Sequence, residues 1–138
     1  QLGGKPVPAV GFAMGIERLI LLLDTLDLIP EAARGELDVY LLPMSDATEP
    51  AALLLAERLR EALPALHLQL HCGGGSFKSR MKKADRSGAR LALLLGEDEL
   101  AESSVTLKFL REEREQQRVP QTGLADTLTS LLTGESFA

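Results

Sequence analysis

Residues 38–59 read Asp-Val-Tyr-Leu-Leu-Pro-Met-Ser-Asp-Ala-Thr-Glu-Pro-Ala-Ala-Leu-Leu-Leu-Ala-Glu-Arg-Leu, and the period of the pattern changes partway along. Asp38–Leu42 is a short apolar run closed by Pro43, with the length and composition of a strand. Asp46-Ala-Thr-Glu49 then offers capping oxygens, and Pro50 is tolerated in a first helical turn. From there Ala52, Leu55, Ala56, Leu59 and Leu63 recur at helical spacing. A strand that feeds directly into a helix is the building unit of α/β folds.

The alternation continues in both directions. Leu66–Cys72 places Leu66, Leu68, Leu70 and Cys72 on one face and His67, Gln69 and His71 on the other. Ser76–Arg86 reads as a basic amphipathic helix with Phe77, Met81 and Ala84 inward. Arg90–Leu95 is a buried strand. Val105–Leu110 and Gln116–Val119 are two further strands, joined by the charged turn Arg111–Glu115 and close enough to form a hairpin. Leu124, Leu128, Leu131 and Leu132 mark a closing helix. The expected fold is α/β, with helices on both faces of a mostly parallel sheet that the final hairpin makes mixed. Upstream, a Gly- and Pro-rich lead and a short strand precede a helix from about Gly15 to Leu26. Pro30 and Gly35 break the connector that follows. A domain boundary is therefore expected near residue 35, giving segments 1–35 and 36–138.

The chain has 138 residues, enough for one ordinary core, and its 45% hydrophobic and 25% charged content fits a globular domain. The apolar run Leu19–Leu23 is far short of the ~20 residues of a membrane span. No basic-then-apolar leader opens the sequence, so secretion is not expected. Cys72 is the single cysteine, which excludes an internal disulfide and fits a reducing cytoplasm. The net charge of −5 argues against nucleic acid when taken as an average. Between Lys78 and Arg90, however, six cations (Lys78, Arg80, Lys82, Lys83, Arg86, Arg90) meet only one carboxylate, Asp85. Such a patch on an acidic body is either a solvated helix face or a landing site for a polyanion.

Three other constellations bear on chemistry. In residues 9–23 a short apolar stretch and a glycine turn lead to Glu17-Arg18, which opens a helix otherwise rich in Leu and Ile. Arginine is costly to bury without a partner, so Arg18 points to a guanidinium aimed at an anion. The Gly73-Gly-Gly75 loop lacks the P-loop spacing, because no glycine directly precedes Lys78, yet a glycine loop at a helix start still offers N–H groups to an anion. His67 and His71 fall opposite Cys72 and no fourth ligand is near, so no metal site is expected.

Gly11-Phe-Ala-Met-Gly-Ile-Glu-Arg-Leu19 resembles motif 3 of the class II aminoacyl-tRNA synthetases, in the form carried by the histidyl-tRNA synthetases. Ala13 stands where the general class II pattern has glycine. The resemblance continues through Gln1–Gly4, His71–Lys78, Ala84-Asp85, Gly88-Ala-Arg90 and Leu95-Gly-Glu-Asp-Glu99, which look like the C-terminal anticodon-binding domain of that family. It covers essentially the whole chain.

The resemblance implies a three-layer α/β/α anticodon-binding domain with a five-stranded mixed sheet and three flanking helices, preceded by a strand–helix remnant of the class II catalytic domain. It implies that Arg18 contacts ATP, with Gly11, Gly15 and Glu17 in the same nucleotide-binding turn. Lys78, Arg80, Lys82 and Lys83 would position the backbone of a histidine tRNA at its anticodon stem-loop. Glu99 and Lys108 would read base edges of the anticodon GUG, Glu by accepting from a guanine amino group and Lys by donating to guanine or uracil oxygens. Phe77 could stack a base, but its spacing with Met81 assigns it to the core.

The family attaches histidine to its tRNA using ATP and Mg2+, as a cytoplasmic homodimer with no membrane association. Its motifs 1 and 2 lie upstream of motif 3. The expectation is thus a C-terminal piece that binds no cofactor and activates no histidine alone. Two other readings compete. One is a regulatory synthetase-like relative from histidine biosynthesis, a group that generally lacks the second domain. The other is a flavodoxin-type domain using Gly73–Ser76 for phosphate, against which the scarcity of aromatics weighs.

Overall fold

The computed structural model describes residues 8–30 and 36–134, so Gln1–Gly4 and the break at Gly35 lie outside the described residues. The chain divides into two compact units, residues 1–35 and 36–138.

In the first unit one helix forms, α1 (Ile16–Thr25), with extended Gly15 as its N-cap. Its end is a paired set of backbone bonds: the Asp27 N–H donates to the Asp24 carbonyl at 3.0 Å and the Leu28 N–H to the Leu23 carbonyl at 2.8 Å. This geometry needs a left-handed residue after the helix, and Asp27 (φ 52) supplies it where glycine is usual. The strand expected ahead of α1 is absent, since residues 8–15 carry none. A strand exists by pairing, and this unit holds no second strand among its described residues. None of the residues of α1 is buried.

The second unit is a five-stranded sheet in the order β2-β1-β3-β4-β5. Its strands are β1 (Val39–Pro43), β2 (Leu68–Leu70), β3 (Leu91–Leu95), β4 (Ser104–Phe109) and β5 (Gln117–Pro120). β1 runs parallel to both β2 and β3, in register Leu41↔Leu70 and Leu41↔Leu93. β3–β4 and β4–β5 are antiparallel, in register Ala92↔Lys108 and Thr106↔Arg118. The helices are α2 (Glu49–Ala62), α3 (Phe77–Arg86), a short α4 (Glu97–Ala101) and α5 (Leu124–Thr133). The expected mixed α/β sheet is therefore the observed one. β2 is shorter than the expected Leu66–Cys72, and α4 had no counterpart among the expected elements.

β1 and β3 are buried along their whole length because helices cover both of their faces. One face carries Val39, Leu41, Leu93, Leu107 and Val119, and packs on Ala52, Leu55 and Leu59 of α2 and Leu124 and Leu128 of α5. The other face is covered only in part. Tyr40, Leu42, Ala92 and Leu94 pack there with Ala84 of α3. The same face continues onto β4 and β5 as half-buried Thr106 and exposed Lys108 and Arg118. That uncovered half-face lies beside α3 and is what the fold contributes to a site.

Leu93 is fully buried at the centre of the larger cluster. Leu93→Ala is expected to cost about 2–5 kcal/mol in urea unfolding, through lost transfer energy and a cavity. Leu53→Ala, on the exposed side of α2, should stay within about 0.5 kcal/mol.

Candidate nucleic-acid interface

α3 begins where Ser76, in an extended conformation, caps it; the Ser76 hydroxyl accepts from the Ser79 N–H at 3.4 Å. Gly73 (φ +94) and Gly75 (φ +124) take left-handed conformations that bring the chain from β2 into the helix. Two buried side chains hold this loop. His71 meets the Gly73 carbonyl through Nε2 at 2.8 Å and the Tyr40 hydroxyl through Nδ1 at 2.9 Å. A carbonyl only accepts, so Nε2 carries the hydrogen, and in the neutral ring Nδ1 accepts from Tyr40. Burial raises the Tyr40 pKa, with nearby Cys72 adding to the effect. The second side chain is Arg80. Its Nε donates to the Gly75 carbonyl at 2.9 Å, Nη1 to the Pro43 carbonyl at 3.1 Å and to Glu49 at 3.2 Å, and Nη2 to Asp46 at 2.5 Å.

Arg80 is a correction to the sequence reading, which placed it among the exposed cations. It is 2% exposed, and four of its five N–H groups donate within the protein. Phe77 is the converse case: assigned to the core by its spacing, it is 41% exposed. Arg80 and Ala84 turn inward because Asp46 and Glu49 wait for a cation where β1 ends. Phe77 lies on the same helix face, three residues before Arg80, and is exposed as the first residue of α3. Sequence periodicity on α3 could not reveal partners lying thirty residues upstream.

With that rotation fixed, Lys78, Lys82, Lys83 and Arg86 all face outward and are exposed. Lys83 and Arg86 lie in the last turn, where the helix dipole favours cations and the helix gains from them. Lys78 lies in the first turn, where the dipole disfavours a cation. Asp85 pairs with Arg111 at 3.8 Å, which takes the patch's one carboxylate off the exposed lysines.

Glu99, on α4, is also corrected. Read from the sequence as a free acceptor for a base, it is 7% exposed and already occupied. Oε2 accepts from the Gly96 N–H at 3.1 Å, while Oε1 accepts from the Thr106 hydroxyl at 2.8 Å and from Arg118 Nη2 at 3.0 Å. Arg118 also bonds Glu102 through Nη1 at 2.6 Å. Burial pushes the Glu99 carboxyl up, but the hydrogen bonds from Thr106, the backbone and Arg118 outweigh it and hold its pKa below the ordinary range. The same two carboxylates raise the Arg118 pKa, Glu99 first and Glu102 second. A Cβ at Gly96 would lie 2.7 Å from Glu99 Oε2 and 2.9 Å from Met44 Sδ, so those side chains would have to shift to admit one. Lys108 stands exposed on the uncovered half-face, as a free donor should. Arg118 was absent from the residues singled out in the sequence. The available signal was the alternation Gln117-Arg118-Val119, which sets Arg118 opposite the core-facing valine.

In the first unit Glu17 and Arg18 are exposed on the opening turn of α1. A Cβ on Gly11 would meet nothing within 4 Å, and one on Gly15 only Arg18 Cβ at 3.7 Å, so packing within the unit requires neither glycine. Among the described residues no group of three or more His, Cys, Asp or Glu could hold a metal ion, and no helix is long and apolar enough to cross a membrane.

A half-covered sheet, a basic helix beside it and a glycine loop pinned between them define a class. The chain belongs to the anticodon-binding domain family, whose model matches residues 38–131. Within that class its similarity is to histidine–tRNA ligases. It is 52% identical over 133 residues to the curated histidine–tRNA ligase of Hydrogenovibrio crunogenus, an alignment covering 96% of this chain and 31% of that protein. The chain thus spans about a third of the length of this relative. Histidyl-tRNA synthetase from Nostoc sp. PCC 7120 superposes with a TM-score of 0.61 at 26% identity, covering 86% of this chain and 28% of that one. The apo enzyme from S. aureus gives 0.60 at 25% identity, over 82% and 28%. The RNA-binding domain of threonyl-tRNA synthetase from Cryptosporidium parvum Iowa II shares the fold, with a TM-score of 0.62 at 16% identity over 67% of this chain and 23% of that one.

Two outcomes test the geometry. Arg80→Ala strands two carbonyls and two carboxylates, so a loss of about 2–4 kcal/mol is expected in urea unfolding. That is near the lower end for a broken buried pair, because the carboxylates keep contact with water. Arg80→Lys should not restore the loss, since a single ammonium cannot reach the same four acceptors. The second outcome concerns acid. Glu99 has a lowered folded-state pKa, so its stabilising effect is complete above its unfolded value of about 4.3 and fades as pH falls through the folded value. The stability difference between the native chain and Glu99→Gln should therefore be greatest near neutral pH and shrink below about pH 4.3.

Proposed function

We propose that residues 36–134 bind the anticodon stem-loop of a histidine tRNA, and that the chain is the C-terminal part of a histidine–tRNA ligase. The observation that carries this reading is the uncovered half-face of the sheet lying beside an exposed basic helix. Phosphates need mobile cations and bases need fixed donors on a surface they can lie against, and the two are adjacent here. Lys78, Lys82 and Lys83 hold the RNA backbone, Lys108 donates to a base oxygen, and Glu99 acts from beneath the surface. The residues of α1 belong to the parent enzyme's other activity. Arg18, with Gly11, Gly15 and Glu17, forms the motif 3 turn that contacts ATP. Guanidinium suits that role through planar donors for phosphate and a face that stacks on a purine.

In this reading the parent enzyme joins histidine to its tRNA at the expense of ATP with Mg2+, as a homodimer in the cytoplasm. The 52% identity to a histidine–tRNA ligase supports it. A regulatory relative from histidine biosynthesis is not favoured, because the domain that group generally lacks is present. Nor is a flavodoxin-type domain favoured, since the family match runs through the glycine loop.

Binding of the chain to transcribed histidine tRNA, and to a copy with an altered anticodon, at two salt concentrations is the test. Salt-sensitive binding that prefers the native anticodon is expected; equal binding to both RNAs overturns the reading. Alanine at Lys78, Lys82 or Lys83 should lower affinity equally for both RNAs. Each should reduce the slope of log K against log salt by about 0.7 per lost phosphate contact.

A further inference from the structure

We infer that Arg118 is the side chain that reads a guanine of the anticodon, and that Glu99 is its positioning residue and does not meet the base; this rests on the anticodon-binding reading above. Arg118 is the most constrained cation on the uncovered half-face. Glu99 holds one terminal nitrogen at 3.0 Å and Glu102 the other at 2.6 Å. Its side chain is nonetheless 45% exposed, whereas that of Glu99 is 9% exposed. The guanidinium is thus fixed in orientation while part of it stays open to a ligand, the condition under which arginine recognition loses least entropy.

Occupancy decides between Arg118 and Glu99. The two carboxylate oxygens of Glu99 already accept from Thr106, Arg118 and the Gly96 N–H. A base amino group would have to displace one of these inside a buried site, which leaves a donor unpaired. Arg118 has spare capacity. Of the five guanidinium N–H groups two are used, leaving Nε–H and one hydrogen on each terminal nitrogen without a partner among the described residues.

Charge decides between base and phosphate. Around Arg118 stand Glu99 and Glu102, so the immediate cluster carries one more negative than positive charge. A phosphate there meets repulsion, whereas a neutral base edge does not. Phosphates therefore follow the lysines of α3, and bases turn toward β4 and β5. Guanine presents O6 and N7 as a pair of acceptors, which suits a guanidinium fork; adenine offers N7 beside an amino donor that opposes it. Arg118 lies across from Thr106, and Lys108 is on the same face two residues further along β4. That diagonal spacing, about 7–8 Å, lets the two cations serve different bases.

The experiment uses the whole 138-residue chain and the transcribed anticodon hairpin of histidine tRNA, with further hairpins in which each anticodon guanine is changed to adenine in turn. The native chain should prefer the unchanged hairpin by about 5- to 150-fold at the guanine read by arginine. Arg118→Gln should abolish that preference at one guanine only and leave the salt slope unchanged. Arg118→Lys, which keeps the charge, should fail to restore it. Glu99→Gln should weaken the same preference without creating one elsewhere. If the native chain discriminates and Arg118→Gln and Arg118→Lys discriminate equally well, the assignment to Arg118 is wrong while the anticodon reading stands. A uniform loss on every hairpin with a smaller salt slope makes Arg118 a phosphate contact and overturns it. If the native chain shows no preference, the anticodon reading fails and this inference fails with it.

Discussion

The buried guanidinium of Arg80 sets the geometry of everything on the functional side of the domain. A charge in that position is tolerable only when its donors are satisfied. Four acceptors supply this: the end of β1, the entry to α2 and the last glycine of the loop all converge on one planar group. Three chain segments distant in sequence are thereby held to a common point. The rotation of α3 follows. With Arg80 and Ala84 inward, a period of 3.6 residues sends Lys78, Lys82, Lys83 and Arg86 to the outside. One arginine taken out of solvent arranges the four cations that remain in it.

The second constraint is the uneven covering of the sheet. α2 and α5 close one face across the sheet, while α3 alone covers β1 and β3 on the other. An uncovered stretch is stable only if its side chains are content in water, and Thr106, Lys108 and Arg118 satisfy that condition. The Glu99 carboxylate ties the uncovered stretch together from below, joining α4, β4 and β5 in one hydrogen-bonded group. Such a group is rigid because each member is satisfied by the others. The lysines of α3 stand exposed with no ion pair among the described residues, so the surface joins a fixed polar part to a solvated cationic part. A single-stranded RNA loop, with regular phosphates and irregular bases, needs both.

Much of this was legible in the chain. The apolar runs of β1 and β3 and the helical spacing of Ala52, Leu55, Ala56 and Leu59 appear in the sequence as they do in the fold. Lys108 was legible as an exposed cation on a strand that otherwise alternates toward the core. The errors were of a different kind. The expected strand through Cys72 stops at Leu70, because His71 turns in to bond Tyr40 and Gly73. Arg80 read as surface because helical periodicity ranks residues by polarity and takes no account of a distant pair of carboxylates; Phe77 read as core because it shares the inward face, yet it stands exposed at the helix start. Glu99 read as free because two of its three donors, Thr106 and Arg118, lie on other strands; only the Gly96 N–H, at the N-cap of its own helix, is local.

By itself, then, the sequence determined the order of the five strands and of the longer helices around them, and that positive charge gathers between Lys78 and Arg90. These depend on local period and composition, which neighbours along the chain carry in full. Only the tertiary structure decided which cations are available to a ligand and which are consumed by the protein, and which carboxylate is free and which is committed. Those outcomes depend on the meeting of Arg80 with Asp46 and Glu49, and of Glu99 with Thr106 and Arg118, across separations that no periodic pattern spans. A charge becomes a site residue or a structural one according to its partners, and partners are assigned by folding.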